Sequence, residues 1–335
     1  TASHANAIAI GSSVQSTAID QVSIGGTTDT VRISESYTLP IADGTANQVL
    51  TTDGAGAVTF ATAGGGSPTL YAENPSSPTA PSATGGNAVA IGSGASATNL
   101  YAISIGRNTT ATGIYALSLN GNATPTYSAA IGYSSSGARA TTATGQGSHA
   151  FGGSYASGTD SFAAAIANNT SSYGATGSNS VAIGQQAKAT SVWSTAIGFA
   201  CQSSHVSAVA IGNQNTASQS YSVALGRQSV ADKVGKFAFA SYSLASVGQS
   251  QTGMMVLVSS TTDATPKALT TDNSGASTTN QVILPNNSAY FFSGTIIARE
   301  QASAGTDVGA WEIKGAIRRE ANAASTVLVK STIDD

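Results

Sequence analysis

The sequence predicts an all-β protein: a trimeric parallel β-solenoid (β-roll) of 14-residue repeats, followed by a C-terminal antiparallel β-sandwich. Three observations lead to this fold class. A short Ala/Ile/Gly motif recurs at a fixed spacing, the repeat lacks the 3.6-residue period of a helix, and bulky core residues are few. Apolar residues make up 41% of the 335, but only 6% are aromatic, which suits a thin, repeated core.

The repeat is set by the residue that ends each short apolar run. In NSVAIG, STAIG, SAVAIG and SVALG this residue recurs every 14 positions, and the same interval separates NAIAIG from QVSIG. We predict a structural turn there, because glycine and asparagine both tolerate left-handed backbone angles. The predicted repeat-turn residues are Gly11, Gly25, Gly92, Gly106, Asn120, Gly184, Gly198, Gly212 and Gly226. Elsewhere the interval slips, and in AAAIAN we assign the turn slot to Ala167.

Each unit holds an apolar strand, a glycine turn, a second short strand of small residues and a polar loop. Fourteen residues are too few for a helix, a strand and their connections, so two short strands per coil are expected. Coils that advance about 4.8 Å each would stack about ten repeats into a rod on the order of 50 Å long.

The apolar strand is apolar on both faces. In NAVAIG, Val89 and Ile91 should point to one side, and Ala88 and Ala90 to the other. A narrow solenoid has one interior, so the second face needs a partner. Because alanine permits close approach, we expect neighbouring chains to pack against the alanine side. A threefold axis is the economical closed arrangement, and a twofold axis stays open.

The pattern S-V-A-I-G-x-x-A-x-A resembles the head repeats of trimeric autotransporter adhesins, which form a left-handed parallel β-roll. The resemblance covers residues 1–25 and about 85–231. It implies β-roll domains at 1–25 and 87–231 and a homotrimer that binds a surface.

Residues 26–62 break the repeat. The segment from Tyr37 to Ala61 alternates strand-like runs with the turn pairs Asp43-Gly44 and Asp53-Gly54, which predicts a β-hairpin insert. This segment looks like one that is common in bacteriophage tail-fibre proteins.

Two further regions follow from composition. Residues 63–86 are rich in Gly, Ser and Pro and are predicted to form a linker. Residues 236–335 carry strand-like runs such as AYFFSGTIIARE and STVLVKS, separated by turn clusters, and are predicted to form the C-terminal β-sandwich. This region resembles C-terminal domains of phage tail-fibre and related virion proteins.

The charge pattern bears on partners. The formal net charge is −3, so no basic field would attract nucleic acid or an anionic membrane surface. No run of 18 apolar residues occurs, so membrane insertion is not expected. The single cysteine, Cys201, lies inside a repeat and is interpreted as a small buried side chain.

Sequence patterns for catalysis, cofactors and metals were sought and not found. HExxH, paired CxxC, EF-hand, P-loop and G-x-S-x-G patterns do not occur. Glu300, Glu312 and Glu320 are the chief candidates for a paired-carboxylate glycosidase site, but surface ion pairs are the simpler interpretation. We therefore expect no enzyme activity and no catalytic, cofactor or metal site.

Histidines and tyrosines leave alternatives open. His4, His149 and His205 are interpreted as hydrogen-bonded or solvated, although three copies of one histidine on an axis would offer a metal or anion site. Tyrosines recur where units start, and two interpretations stand: packing against the next coil, which we favour, or an exposed ladder that stacks on sugar rings. They are Tyr101, Tyr115, Tyr127 and Tyr221.

These resemblances imply a structural virion fibre, a tail fibre that presents a receptor-binding region to a host surface. Its partners would be a host glycan or protein and other virion tail proteins, and its location the virion or otherwise the extracellular space or a cell surface. The alternatives are a bacterial trimeric adhesin fragment, a self-assembling extracellular filament and a polysaccharide-degrading tailspike. The receptor-binding residues are not identified, and are expected in the insertions or the C-terminal domain.

Overall fold

The computed structural model describes most of the chain. The described residues are 1–25, 30–33, 37–40, 44–46, 48–55, 57–62, 79–133, 140–166, 172–301 and 306–334. The chain divides into two compact units, Thr1–Ala72 and Glu73–Asp335. Residues 63–78 of the predicted linker, together with Asp43 and Ala167, lie outside the described residues.

The described residues of the first unit form three pairs of strands. Strands β1 (Ile8–Ile10) and β2 (Val22–Ile24) are parallel, with Ile8 opposite Val22, one repeat later. Strands β3 (Arg32–Ile33) and β4 (Tyr37–Thr38) are antiparallel. Strands β5 (Gln48–Thr52) and β6 (Val58–Thr62) form an antiparallel hairpin. Its turn is held by Asp53, whose carboxylate accepts hydrogen bonds from the amides of Ala55 and Ala57 at 2.8 and 3.0 Å.

The second unit is dominated by a solenoid with two short strands in each of eleven coils. In chain order these strands are β7 (Ser82–Ala83), β8 (Val89–Ile91), β9 (Ser96–Ala97), β10 (Ile103–Ile105), β11 (Thr110–Ala111), β12 (Leu117–Leu119), β13 (Asn122–Ala123), β14 (Ala129–Ile131), β15 (Thr142–Ala143), β16 (His149–Phe151), β17 (Tyr155–Ala156), β18 (Phe162–Ala164), β19 (Gly174–Ala175), β20 (Val181–Ile183), β21 (Lys188–Ala189), β22 (Thr195–Phe199), β23 (Gln202–Ser203), β24 (Val209–Asn213), β25 (Thr216–Ala217), β26 (Val223–Arg227), β27 (Val230–Ala231) and β28 (Phe237–Ala240).

The two strands of each coil belong to two different parallel sheets. The even-numbered strands β8 to β28 form one sheet and the odd-numbered strands β7 to β27 form the other. Most coils keep the 14-residue register, as in Val181 opposite Thr195 and Val209 opposite Val223. The predicted all-β parallel solenoid is therefore confirmed. It begins within the segment assigned to the linker and extends one strand past residue 231.

The interior is narrow, because both sheets point small residues inward. The second residue of every even strand from β8 to β28 and of every odd strand from β7 to β27 is alanine or serine, and nearly all of these residues are fully buried. Interior serines bond to the backbone: the Ser180 hydroxyl donates to the Gly177 carbonyl at 2.6 Å, and the Ser222 hydroxyl to that of Gln219 at 2.6 Å. The core is thus a stack of small-residue layers, in agreement with the composition.

The C-terminal end of the solenoid is covered on both sheets. A short strand, β29 (Thr252–Met254), pairs antiparallel with β28. On the other sheet, the Gln251 side chain bonds both backbone groups of Val230, accepting from its amide at 2.8 Å and donating to its carbonyl at 3.0 Å. The amide group of Gln251 therefore stands in for the next strand.

The remaining strands form one antiparallel sheet of β30 (Ser288–Arg299), β31 (Val308–Arg319) and β32 (Val327–Asp334). A single 3-10 turn, Ala323–Ser325, precedes β32. The predicted antiparallel structure is confirmed. Among residues 236–301 and 306–334, however, no second sheet faces this one to complete a sandwich. In the described chain no helix has the length and apolar character needed to cross a bilayer.

Candidate binding surfaces of the solenoid

The predicted repeat-turn residues all have positive φ. The values range from 50° at Asn120 to 128° at Gly11. At Gly198, a Cβ atom would overlap the carbonyl group of Gly212 in the next coil. The turn therefore needs glycine for two reasons, its backbone angle and the closeness of the adjacent coil.

The strand pairing gives one turn slot to a different residue from the one assigned from the sequence. Phe162 pairs with Val181, so the residue equivalent to Gly184 is Ala165, not Ala167. Ala165 indeed has a φ of 55°. The register therefore gives this turn slot to Ala165, while Ala167 itself lies outside the described residues.

The expectation that neighbouring chains pack on the alanine side is also wrong. Ala210 is fully buried within the single chain, while its neighbour Ile211 is 38% exposed. Alanine lies inside because the facing odd strand also contributes alanine, such as Ala217, and the two sheets approach closely. The larger residues therefore point outward.

These outward residues form two columns, one from each end of the three-residue motif, which we call the apolar outer face. Its first column is Val89, Ile103, Leu117, Ala129, His149, Phe162, Val181, Thr195, Val209, Val223 and Phe237; its second is Ile91, Ile105, Leu119, Ile131, Phe151, Ala164, Ile183, Ile197, Ile211, Leu225 and Phe239. Only His149 and Thr195 interrupt its apolar character. Two columns over eleven coils amount to an apolar strip on the order of 500 Å².

The opposite side of the solenoid is polar. The outward residue of the odd strands is mostly Ser, Thr, Asn, Gln or Lys, for example Thr110, Lys188, Gln202 and Thr216. The two outer faces of one solenoid therefore differ sharply: one suits water and the other suits contact with protein.

A third feature runs along the turn that precedes each even strand. The residue two positions before the strand has positive φ in every coil, whatever its type. In order these residues are Asn87, Tyr101, Tyr115, Tyr127, Gly147, Asp160, Asn179, Trp193, Ser207, Tyr221 and Gly235. We call this series the turn column. Bulky aromatic residues are unusual in the left-handed region, so their recurrence at one turn is a marked feature.

Three tyrosines of the turn column stack. The ring centroids of Tyr101 and Tyr115 lie 4.8 Å apart with planes at 14°, and those of Tyr115 and Tyr127 lie 5.5 Å apart at 9°. The favoured interpretation, packing against the next coil, holds for these three. They are also 40 to 57% exposed. Trp193, which the sequence reasoning missed, occupies the same slot and is 60% exposed; its distance of 14 residues from Asn179 would have identified it.

An open groove of about 390 Å³ lies beside these tyrosines. It is lined by Asn99, Thr112, Gly113, Thr124, Pro125, Thr126 and Gln146. Three of the coils that line it supply a stacked tyrosine from the same turn, two residues after Asn99, Gly113 and Pro125. The lining is polar and carries no charge.

The other candidate residues are dispersed. His149 lies exposed on the apolar outer face, His205 in a polar loop, and His4 in the first unit with Nδ1 3.0 Å from the Ser16 carbonyl. Within the described ranges, His, Cys, Asp and Glu side chains form no cluster of three that could hold a metal. Cys201 is buried in the interior, and burial raises the pKa of its thiol.

The carboxylates that were weighed as a catalytic pair lie on or beside the C-terminal sheet. Glu312 is on β31 and Glu300 follows β30, where its amide donates to the Asp307 carbonyl at 3.0 Å. Glu320 forms an exposed ion pair with Arg318 at 2.6 Å.

A charged cluster lies at the last full coil of the solenoid. Asp232 bonds Lys233 and Lys236, the latter at 2.9 Å. Burial opposes ionisation of Asp232, but the two lysines outweigh it and hold the pKa of this carboxyl below its ordinary value. Burial, together with the charge of Asp232, raises the pKa of Tyr290 on β30.

Comparison with known families finds one match, to the YadA head domain repeat (2 copies), at residues 83–109, 97–119, 175–200 and 206–229. All four stretches lie in the solenoid. The repeats are thus of the trimeric autotransporter adhesin type, as the sequence pattern predicted. No curated protein matches the chain.

Proposed function

We propose that this chain is a structural segment of a homotrimeric fibre that binds a host or cell surface. The apolar outer face carries the proposal. A strip of this size is comparable to the largest apolar patches that monomeric soluble proteins expose, which are often functional, and it includes the repeats that match an adhesin head. Three chains around one axis would bury the three apolar outer faces and leave the polar sides in water.

The rod shape suits presentation of a binding region. Eleven coils that advance about 4.8 Å each make a rod on the order of 50 Å long. Three copies would also give avidity to weak individual contacts. The function proposed is mechanical and adhesive, without enzyme activity.

The finer proposal places the fibre in a virion tail, at the bacterial surface during infection. The resemblance of Tyr37–Ala61 to segments of bacteriophage tail fibres supports it. Its partners would be a host glycan or protein and other tail proteins. A second candidate, a fragment of a bacterial trimeric adhesin, is favoured by the matching head repeats.

The covered end of the solenoid weighs against growth into a filament. An open strand edge would recruit another roll, but β29 and the Gln251 amide occupy the edge at the C-terminal end. We therefore rank the filament below both fibre proposals.

A binding experiment with intact cells tests the function. The fluorescently labelled chain would be incubated with a panel of bacterial strains, with cultured animal cells and with matrix-coated plates. Retention on particular bacterial strains supports the virion fibre, and retention on animal cells or matrix supports the bacterial adhesin. No retention on any surface contradicts the proposal.

A further inference from the structure

We propose that the solenoid carries a binding site for a neutral, hexose-containing glycan on the ring of Tyr127. The next position of the turn column is Gly147, which has no side chain, and we call the place beside it the open step. This inference rests on the proposed surface-binding function and assigns its ligand class and location.

The turn column provides an aromatic platform with one open end. Tyr115 covers one face of the Tyr127 ring at 5.5 Å. The equivalent position in the next coil is Gly147, because Ala129 pairs with His149 two residues later in each coil. Gly147 has no side chain of its own to cover the other face, the Asp160 carboxylate of the following coil reaches only the base of this position, and Tyr127 is 57% exposed. A flat ring placed at the level of Gly147 would continue the stack.

Polar groups surround this open step. The carboxylate of Asp160, one coil further on, stands where a Cβ atom at residue 147 would be. Within the part of the chain that the structure describes, the Asp160 carboxylate and the exposed Gln146 amide form no side-chain hydrogen bond. A carboxylate that accepts and an amide that both donates and accepts match neighbouring hydroxyls of a sugar.

The groove extends this site along further sugar units. Its volume of about 390 Å³ lies in the range of ligand sites, and two of its lining residues, Gln146 and Thr126, directly precede Gly147 and Tyr127 in the chain. The hydroxyl of Thr112 donates to the Thr124 carbonyl at 3.1 Å, which leaves its lone pairs free to accept. A chain of sugars would therefore meet an aromatic ring at one end and hydroxyl groups beyond it.

Charge selects the class of sugar. The residues that line the groove include no Lys or Arg, and the carboxylate at the open step is negative. An acidic glycan would meet repulsion with no cation among the residues that line the groove to offset it, whereas a neutral sugar would accept both the stacking and the hydrogen bonds.

Substitutions at the turn column allow a matched test. Tyr127→Asn removes the ring but keeps a residue that already occupies this slot with the same backbone angle at Asn87 and Asn179. Tyr221→Asn is the control. Tyr221 is 63% exposed in the same slot and is also followed by a glycine, Gly235, but Ser207 gives it no stacked ring and no carboxylate of the described residues lies within 4 Å of a Cβ atom placed at Gly235. Asp160→Asn tests the carboxylate.

Binding would be measured by saturation-transfer NMR with hexasaccharides of glucose, galactose, mannose and N-acetylglucosamine, and with oligogalacturonate as the acidic comparison. We expect at least one neutral oligosaccharide to bind, and its affinity to fall about tenfold or more in Tyr127→Asn and Asp160→Asn. Tyr221→Asn should bind as the unsubstituted chain does, and oligogalacturonate should not bind.

Three results would overturn the inference: no neutral oligosaccharide binds, Tyr127→Asn binds unchanged, or Tyr127→Asn alters the sedimentation coefficient. The last result would assign the ring to a contact between protomers. The cell-binding experiment separates the two proposals. If the unsubstituted chain and Tyr127→Asn are retained on cells equally, the glycan site is refuted while the surface-binding function stands.

Discussion

Ala210 and Ile211 are neighbours on β24 and face opposite sides of it, Ala210 fully buried inside the solenoid and Ile211 38% exposed on its outer face. This division recurs along the even sheet. The buried alanine side holds one chain together, and the exposed side would hold several chains together. Substitutions can change either side without changing the other.

The interior has no room for a larger side chain. We expect Ala210→Leu to lower the free energy of unfolding by about 3 kcal/mol or more, because the alanine layers of two sheets meet there. Ile211→Leu, a volume-conserving change on the outer face, is the control and should change little. Thermal unfolding followed by circular dichroism measures both, and equal midpoints for the two variants would contradict the packing described.

One interior serine has a buried hydroxyl group with an unsatisfied hydrogen-bonding capacity. The hydroxyl of Ser203 is buried and finds no hydrogen-bond partner among the described residues, in a column that is otherwise alanine. Ser203→Ala should therefore stabilise the chain by about 1 kcal/mol. Ser180→Ala is the matched change, and it should not stabilise, since the Ser180 hydroxyl donates to Gly177 at 2.6 Å. Denaturant titration that ranks the two variants in the reverse order would refute this account.

The turn glycines are required by contact as well as by angle. Gly198 has a φ of 112°, and a Cβ there would overlap the Gly212 carbonyl. Gly198→Ala should cost about 3 kcal/mol or more. Gly235→Ala, at a φ of 68° with open space around its Cβ, should cost only about 1 kcal/mol. Similar losses at the two positions would show that the adjacent coil does not press on this turn.

Acid should weaken the ion pairs of Asp232 with Lys233 and Lys236. The pKa of Asp232 is lower in the folded chain than in the unfolded chain, so its ion pairs stabilise the fold above about pH 4. That stabilisation is lost as the pH falls through the folded pKa. Asp232→Asn should lower the melting temperature at pH 7, and the difference from the unsubstituted chain should shrink below about pH 4. Melting curves across pH test this, and a difference that persists unchanged at pH 2 would contradict it.

The sequence predicts those features of the fold that restrict the residue type at a given position. The turn angle at Gly184 and Gly212 admits few residue types, so the spacing of glycine revealed the register and the solenoid. The stacked tyrosines were visible in the same way, since they repeat with the coil.

The assignment of inside and outside was not visible. Alanine and isoleucine are both apolar, so alternation shows that Ala210 and Ile211 face opposite sides without showing which side is the interior. The missing information lay in the second strand of the coil: Ala217 also faces inward, and two alanine-lined sheets can only meet at close range. The groove beside Gly113 and the cap formed by Gln251 arise from the stacking of coils, which no local pattern records.

The apolar outer face is the centre of the account, and sedimentation velocity of the purified chain tests it most directly. The account predicts a trimer, converted to monomers by Ile197→Asp combined with Ile211→Asp, since charges would then be buried at the contact. The pair Gln202→Asp and Thr216→Asp, on the polar outer face, should remain trimeric. A stable monomer of the unsubstituted chain would contradict the central claim.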